Sequence, residues 1–208
     1  AEQDEVLATV INGDAPAAMA LACAQMGVPF VQISTDYVFD GAGSTGFAPD
    51  HKTCPLGAYG RSKRVGERGV VAAGGTYAIL RTAWVFSRYG TNFLKTMLRL
   101  SETREQLSIV NDQIGGPTPA AALAKACHAM AGGLASGSGR VGIYHFSGTP
   151  EVSWADFAAE IFAQSGRQVT TTGIPSQEYP TPAKRPLNSR LNCDSLQEQF
   201  GILRPDWR

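Results

Sequence analysis

The sequence predicts an α/β protein with a mostly parallel sheet, and two observations lead to this fold class. Short apolar runs rich in β-branched residues, such as VPFVQIS at 28–34, alternate along the chain with alanine-rich or amphipathic helical segments. Such runs are typical of parallel strands covered on both faces, and the alternation implies right-handed β-α-β units. With 208 residues, 43% of them hydrophobic and 17% charged, the chain is able to bury a sizeable core.

Each expected element has a local signal. Proline or a capping residue begins the helices, glycine ends them, and apolar runs mark the strands. The first expected elements are a helix from Asp14-Ala-Pro16 to Gly27, the strand 28–34, a Gly- and Pro-rich loop at 40–56 and a helix from Gly57 to about Val71. We next expect the strand TYAILRTAWVF, the helix NFLKTMLRLSETR, the strand LSIVN, an alanine-rich helix after Pro119 and the strand VGIYHFS. A helix opened by a capping box at Ser153-Trp-Ala-Asp156, a proline-rich tail and a short helix near Asp194 follow.

Composition excludes several classes of function. Eighteen basic and eighteen acidic side chains cancel, so there is no electrostatic signature of nucleic acid or of an anionic membrane as partner. No apolar run approaches the ~20 residues that a bilayer requires, and AEQDEV is unlike a signal peptide. The four cysteines (Cys23, Cys54, Cys127 and Cys193) are scattered, which favours reduced thiols in a cytoplasmic protein over a zinc site or disulfides.

The run Gly41-Ala-Gly43-Ser-Thr-Gly46 matches G-x-G-x-x-G, the pattern of a dinucleotide-binding turn. That turn works only where a helix follows at once, because the helix N-terminus holds the pyrophosphate. FAPDHKTCPLG comes next instead, and its prolines and glycine oppose a helix start. We therefore expect a surface loop rather than a cofactor site here.

Chemistry is expected at the end of the strand 28–34. Ligands of parallel sheets bind beyond the carboxyl ends of the strands, and Thr35 and Asp36 stand at that end. Tyr59 and Lys63 form a Y-x-x-x-K pair whose spacing places both side chains on one helix face. An ammonium group beside a phenol is expected to lower the phenol's pKa toward the working range. Alone, such a pair also occurs by chance on surface helices.

Six segments in order carry a more specific resemblance: STDYVFDG, YGRSKRVGE, RTAWVFSRYGTNFLKTMLRL, NDQIGGPT, YHFSG and RPLNSRLN. Together they resemble the dTDP-4-dehydrorhamnose reductases, members of the extended short-chain dehydrogenase/reductase family, over essentially the whole chain. The resemblance implies a Rossmann-type doubly wound parallel sheet. It also implies reduction of the 4-keto group of dTDP-4-dehydro-L-rhamnose with NADPH or NADH. It leaves a Mg²⁺ requirement and a homodimer open.

The resemblance also assigns roles to individual residues. Tyr59 is expected to donate the proton to the C4 oxygen, with Lys63 binding the nicotinamide ribose and Thr35 completing the catalytic set. Thr35, Asp36 and Trp84 fall on substrate-contacting positions, although a tryptophan at a strand end is also often simply part of a core. Three further residues are expected to contact the nucleotide and pyrophosphate, namely Asn92, Arg185 and Arg190, although arginines in such a tail are often merely solvated.

Position 37 separates the reductases from similar sugar-nucleotide dehydratases. Those enzymes carry an Asp-Glu pair after the threonine, whereas here Tyr37 follows Asp36. A reduction needs one proton donor and a hydride, so the missing second carboxylate favours a reductase. The histidines His51, His128 and His145 show no metal-ligand spacing and are expected to be structural.

Compared with the resembled family, the chain begins late in the fold. Roughly 60 residues that carry the true glycine turn are expected upstream, at about 30 residues per β-α-β unit. We expect residues 1–86 to be the remaining part of the Rossmann-type domain and 87–208 to complete the sheet and form the substrate-binding portion. The 208 residues alone are expected to bind little cofactor and to be inactive.

Two alternative functions remain open from the sequence. One is a non-catalytic binding subunit, because the regulatory beta subunit of methionine adenosyltransferase is similar to these reductases and acts by docking a partner. The other is a reductase of a different dTDP-4-keto-deoxysugar, since the shape of the pocket selects the sugar. The intact set Thr35, Tyr59 and Lys63 favours an enzyme.

Overall fold

The computed structural model describes residues 1–208 and is an α/β fold, as the sequence predicts. The helices are α1 (Glu5–Thr9), α2 (Ala15–Met26), α3 (Ala58–Ala73), α4 (Phe93–Leu100), α5 (Ala120–Ala135), α6 (Trp154–Gln164) and α7 (Asp194–Phe200). The strands are β1 (Phe30–Thr35), β2 (Tyr77–Thr82), β3 (Val85–Phe86), β4 (Gln106–Val110), β5 (Ile114–Gly115), β6 (Thr118–Pro119), β7 (Gly142–Phe146), β8 (Val152–Ser153), β9 (Thr170–Ile174) and β10 (Asn188–Ser189).

The central sheet has the order β1-β2-β7, with all three strands parallel. Successive residues of β2 face opposite sides, so Leu80 packs with α5 and α7 while Ile79 packs with α2 and α3. Both faces are therefore covered by helices, as in a doubly wound sheet. The register places Thr82 of β2 directly beside Thr35 of β1, so both strands end at the same edge.

A second apolar core lies between α4, α6 and the parallel pair β4–β9. Its buried members include Met97, Leu107, Ile109, Phe157 and Phe162. This core is separate from those of the central sheet, and the strands and helices around it come from the part of the chain after residue 86. Strand β7 comes from that same part but completes the first sheet.

Three elements differ from the expectation. The first helix begins at Glu5 instead of Asp14, because a π-helical turn (Val10–Asp14) joins α1 to α2 without a break. The strand expected at 76–86 is interrupted after Thr82, where Trp84 adopts a left-handed φ of 51°. Strand β9 was not expected at all.

The membrane expectation also needs one correction. The helical stretch Glu5–Met26 is long and apolar enough to cross a membrane by length and composition alone, contrary to the prediction that no run approaches that length. Core helices of soluble proteins and signal sequences have the same properties, so this is weak evidence. In this structure the stretch packs along α3, where the Val65 side chain meets Gly13 and Gly69 meets Ala17.

The glycine run lies in a loop, as predicted. No helix begins until Ala58, and the loop pairs with the proline-rich tail instead. The Gly41 carbonyl accepts a hydrogen bond from Asn188 N, and Phe47 N donates to the Arg190 carbonyl. The tail thereby returns across the carboxyl edge of the central sheet.

Candidate active site

Thr35, Tyr59 and Lys63 come together at the carboxyl edge of β1. The Lys63 ammonium donates to the carbonyl of Ile33, at 3.2 Å, which ties α3 to the strand that ends in Thr35. The Thr35 hydroxyl donates to Asp36 Oδ1 at 3.1 Å, accepts from Tyr37 N at 3.2 Å, and interacts with the Tyr59 phenol. The structure therefore assembles the set that the sequence predicts.

The first turn of α3, which carries Tyr59, is held by residues that the sequence analysis missed. The Glu2 carboxylate accepts hydrogen bonds from Ala58 N and Tyr59 N, at 3.1 and 3.2 Å, and so caps the helix from a distant part of the chain. Gly60 allows α3 to approach the turn that follows β1 closely, because a Cβ there would clash with the Tyr37 carbonyl oxygen.

A second distant contact holds the same turn. Asn12, in the π-helical turn, donates to the Ser62 hydroxyl, which in turn donates to the Tyr59 carbonyl. The only sequence signals for these contacts are Gly60, a glycine inside a helix, and Asn12, an asparagine after an acidic segment. Neither signal indicates which residue is contacted.

The pKa of Tyr59 is shifted in the direction opposite to the prediction. Burial raises the pKa, the nearby Asp36 carboxylate raises it further, and the Thr35 hydroxyl lowers it. Lys63 does not contribute, because its ammonium is directed at the Ile33 carbonyl and burial lowers its own pKa. The expectation that Lys63 depresses the pKa of Tyr59 is therefore wrong for this chain, and the phenol is protonated at neutral pH.

Asp36 is buried and only partly satisfied. Burial raises the pKa of its carboxyl to about 6, against hydrogen bonds from Ser189 and Thr35 that lower it. Its second oxygen, Oδ2, has no hydrogen-bond partner in the protein. Unpaired buried polar atoms are rare, so an acceptor left free at the edge of the sheet suits a substrate hydroxyl.

Tyr37 fills the position where a dehydratase carries a second carboxylate. Its ring packs edge-to-face against Tyr59, with centroids 5.8 Å apart. Burial, followed by the charge of Asp36, raises the pKa of Tyr37 to about 12, while Arg185 opposes the shift. Tyr37 is thus a neutral wall of the site rather than an acid or base.

A buried ion pair fastens α3 to the sheet behind these groups. Arg81 of β2 binds the Glu67 carboxylate through two nitrogens, at 2.8 and 2.7 Å, and Ser34 donates to the same carboxylate. His145 is neutral there: its Nδ1 donates to the Phe47 carbonyl, and burial followed by Arg81 lowers its pKa to about 3. Its structural role was predicted.

A cavity of about 750 Å³ lies beside this edge, on the second core. Its walls come from α4, β4, the start of α6 and the tail after β9, and they include Phe93, Gln113, Trp154, Tyr179 and Arg185. Arg185 takes part in none of the ion pairs of the structure, and its positive charge acts to lower the pKa of Tyr37. The cavity therefore presents a guanidinium that has no ion-pair partner, and Trp154 in its wall stacks on Trp84 at the sheet edge.

The other predicted contacts are placed differently. Trp84 lies at the sheet edge, stacked on Trp154. Asn92 caps α4: its oxygen accepts from Lys95 N while its amide donates to the backbone of the preceding loop. Arg190 donates to the Asn188 side chain at 3.1 Å and lies 3.9 Å from Glu151. Asn92 and Arg190 do not line the cavity, and both are already engaged within the protein.

No group of three or more His, Cys, Asp or Glu side chains could hold a metal ion. The Mg²⁺ requirement that the resemblance leaves open thus gains no support. All four cysteines are free thiols.

Comparison with known proteins decides the family. The model of the RmlD substrate binding domain matches residues 1–208. The chain belongs to this family. A dTDP-4-dehydrorhamnose reductase of Sinorhizobium fredii is 46% identical over 100% of the chain and 72% of its own length. A Burkholderia thailandensis protein of the same name is 44% identical over 100% of the chain and 74% of its length.

A solved member of the family has the same fold. The Bacillus anthracis dTDP-4-dehydrorhamnose reductase, crystallised in complex with NADP, superposes with a TM-score of 0.92 at 37% identity. The superposition covers 100% of this chain and 72% of that one. The predicted family and the predicted doubly wound α/β fold are both confirmed.

Proposed function

We propose that the protein reduces the 4-keto group of dTDP-4-dehydro-L-rhamnose to dTDP-L-rhamnose with NADPH or NADH. The observation that carries the proposal is a protonated phenol, Tyr59, held with Thr35 at the carboxyl edge of the sheet. A cavity of nucleotide size lies on the second core, and its wall contacts the residues of that edge through the Trp84–Trp154 stack. The family relationship supports the same activity, because the similar proteins carry that enzyme's name.

Reduction of a ketone adds a hydride to carbon and a proton to oxygen, and this chain supplies the proton. A phenol whose pKa is raised by burial keeps its proton at neutral pH and can give it to the oxyanion as that charge develops. The Thr35 hydroxyl is placed to bind the same oxygen and to stabilise the phenolate left behind. The nicotinamide supplies the hydride when it is bound.

Lys63 fits a role in holding the nicotinamide ribose. An ammonium has three N–H donors, and only one is used, on the Ile33 carbonyl. The remaining donors can bind ribose hydroxyls beside Tyr59. NADPH is supported by the NADP complex of the Bacillus anthracis relative.

The substrate is proposed to lie across the cavity and the sheet edge. Its nucleoside occupies the cavity, its pyrophosphate is bound by the unpaired Arg185, and its sugar meets Asp36 and Trp84 at the edge. Asn92 and Arg190 stay predictions, and each would have to exchange a present hydrogen bond for a ligand. A cytoplasmic location is proposed from the biosynthetic role of the relatives.

The test is product formation by the full-length protein. Incubation with NADPH and dTDP-4-dehydro-L-rhamnose is expected to consume NADPH in a one-to-one ratio with dTDP-L-rhamnose, followed by absorbance and chromatography. Cofactor and sugar that remain unchanged would contradict the proposal and favour a binding subunit. Turnover of only a different dTDP-4-keto-deoxysugar would keep the chemistry and correct the substrate.

A further inference from the structure

Trp84 has an unusual backbone for a large aromatic residue. Its φ of 51° lies in the left-handed region, and it is the one non-glycine residue of the chain that does so. Such a conformation is unfavourable for a residue with a Cβ and persists only where surrounding contacts impose it, often at functional sites. The question is which contacts impose it here.

The contact that holds the Trp84 side chain is the indole of Trp154. The two rings stack with centroids 3.6 Å apart and planes 11° apart. On another side, Gly115 leaves room for the ring, because a Cβ there would lie 2.9 Å from Trp84 Cε2. Trp84 is thus held between a stacked indole and a bare backbone.

Trp154 is itself rigidly placed. It is the first residue of α6, whose start is fixed by the reciprocal hydrogen bonds of the Ser153–Asp156 capping box. The indole N–H of Trp154 donates to Gln113 Oε1 at 3.1 Å, and the Trp154 ring packs on Phe93 with centroids 4.6 Å apart. The stack therefore makes the position of Trp84, at the sheet edge, depend on the packing of the second core.

The stack also separates two parts of the proposed site. Trp154 lines the 750 Å³ cavity, whereas Trp84 lies two residues after Thr82, the residue paired with Thr35 in the sheet register. The stack is thus a direct contact between the cavity wall and the sheet edge that bears Thr35. The Trp84 ring is not part of the cavity wall.

We propose that Trp154 is a positioning and specificity-determining residue, which fixes Trp84 as the platform for the sugar half of the substrate. This inference rests on the proposed function and extends it: the Trp84–Trp154 stack affects binding of the sugar half of the substrate but not binding of the nucleotide half. Without Trp154, Trp84 is free to relax its backbone and the platform is lost. Aromatic pairs of this kind contribute enough to predict a change of about three- to tenfold.

The test compares two ligands, dTDP and the stable product dTDP-L-rhamnose, by calorimetric titration of the full-length protein. Trp154→Ala is expected to weaken dTDP-L-rhamnose binding by about three- to tenfold while leaving dTDP binding nearly unchanged. Trp154→Phe, which keeps an aromatic face, is expected to restore most of the difference. Trp207→Phe, which removes an indole from the same core away from the stack, is the matched control and should not change the ratio.

A second variant acts without touching Trp154. Gly115→Ala crowds the Trp84 ring and is expected to cause the same selective loss for the sugar-bearing ligand. Equal losses for both ligands in the two variants, or no loss in either, would overturn the inference while leaving the proposed function intact. A wild-type protein that binds neither ligand would instead overturn the proposed function, and the inference with it.

Discussion

At the residue scale, the environment of Tyr59 matters more than its spacing from Lys63. The Y-x-x-x-K pattern and the strand-end rule pointed to Tyr59, Lys63 and Thr35, which the fold brings to the same edge, because both signals depend on local geometry. The direction of the pKa shift could not be predicted, since it depends on burial and on Asp36, which reach Tyr59 only in the folded protein. The same holds for Glu2, Asn12 and Gly60, whose partners are distant in sequence or contacted only through the backbone.

Asp36 predicts a measurable pH dependence of stability. Its folded pKa of about 6 exceeds the ordinary pKa of 3.8 for an aspartate, so between these pH values the folded state binds more protons and stability falls as pH rises. Asp36→Asn removes this loss, and the stability of the variant relative to wild type is expected to rise by roughly 2–3 kcal/mol from pH 4 to pH 7. Urea unfolding at both pH values measures it. If the variant and wild type change in stability equally between pH 4 and pH 7, the pKa of the Asp36 carboxyl is not raised on folding.

His145 predicts the opposite slope. Its folded pKa of about 3 is below the ordinary pKa of 6.5 for a histidine, so the unfolded state binds the extra proton and stability falls as pH is lowered through this range. His145→Gln is expected to be less stable than wild type at pH 7 but to flatten the decline between pH 6 and pH 4. His128→Gln, on the surface of α5, is the control and should leave the decline unchanged.

At the element scale, the long periodic segments were predictable and the irregular ones were not. Helix α3 and strand β1 follow from apolar pattern and capping signals. The break at Trp84 is hidden within a continuous apolar run, because a left-handed residue is imposed by stacking rather than by local preference. Strand β9 has mostly exposed residues and pairs with β4 across some 60 positions, so nothing local marks it.

The buried Glu67–Arg81 pair is predicted to decide how firmly α3 is attached to the sheet. Glu67→Gln leaves the Arg81 charge buried without a counterion, which is expected to destabilise the protein by about 3–5 kcal/mol. Glu5→Gln, which breaks the exposed pair with Arg61, is the control and should cost far less, because solvent screens that pair. Chemical denaturation at pH 7 compares the two, and similar small losses would contradict this view of α3.

At the scale of the whole molecule, the cavity lies on the second core, and the Trp84–Trp154 stack connects that core to the edge of the central sheet. The sequence predicts the parallel sheet and the edge at which ligands bind. It does not predict the cavity, whose walls come from four separated segments between Phe93 and Arg185. Sequence spacing likewise could not show that Arg185 faces the cavity while Arg190 turns to Glu151 and Asn188.

Arg185 predicts a test of this arrangement. Saturation with dTDP at 100 times its Kd should stabilise the protein by about 2.7 kcal/mol, which is visible as a raised melting temperature. Arg185→Ala is expected to weaken dTDP binding about tenfold or more, because a charged hydrogen bond to phosphate is lost. Lys184→Ala, its exposed neighbour in the same tail, is the control. Equal effects of the two variants would mean that only general positive charge matters.

The proton transfer from Tyr59 is the central claim, and one substitution tests it most directly. In the full-length protein, Tyr59→Phe removes only the phenolic hydroxyl and is expected to lower kcat for reduction of dTDP-4-dehydro-L-rhamnose by about 10²–10⁴-fold while binding of dTDP persists. Tyr89→Phe, at an exposed position, should retain wild-type turnover. Undiminished NADPH oxidation by Tyr59→Phe would contradict the assignment of Tyr59 as the proton donor.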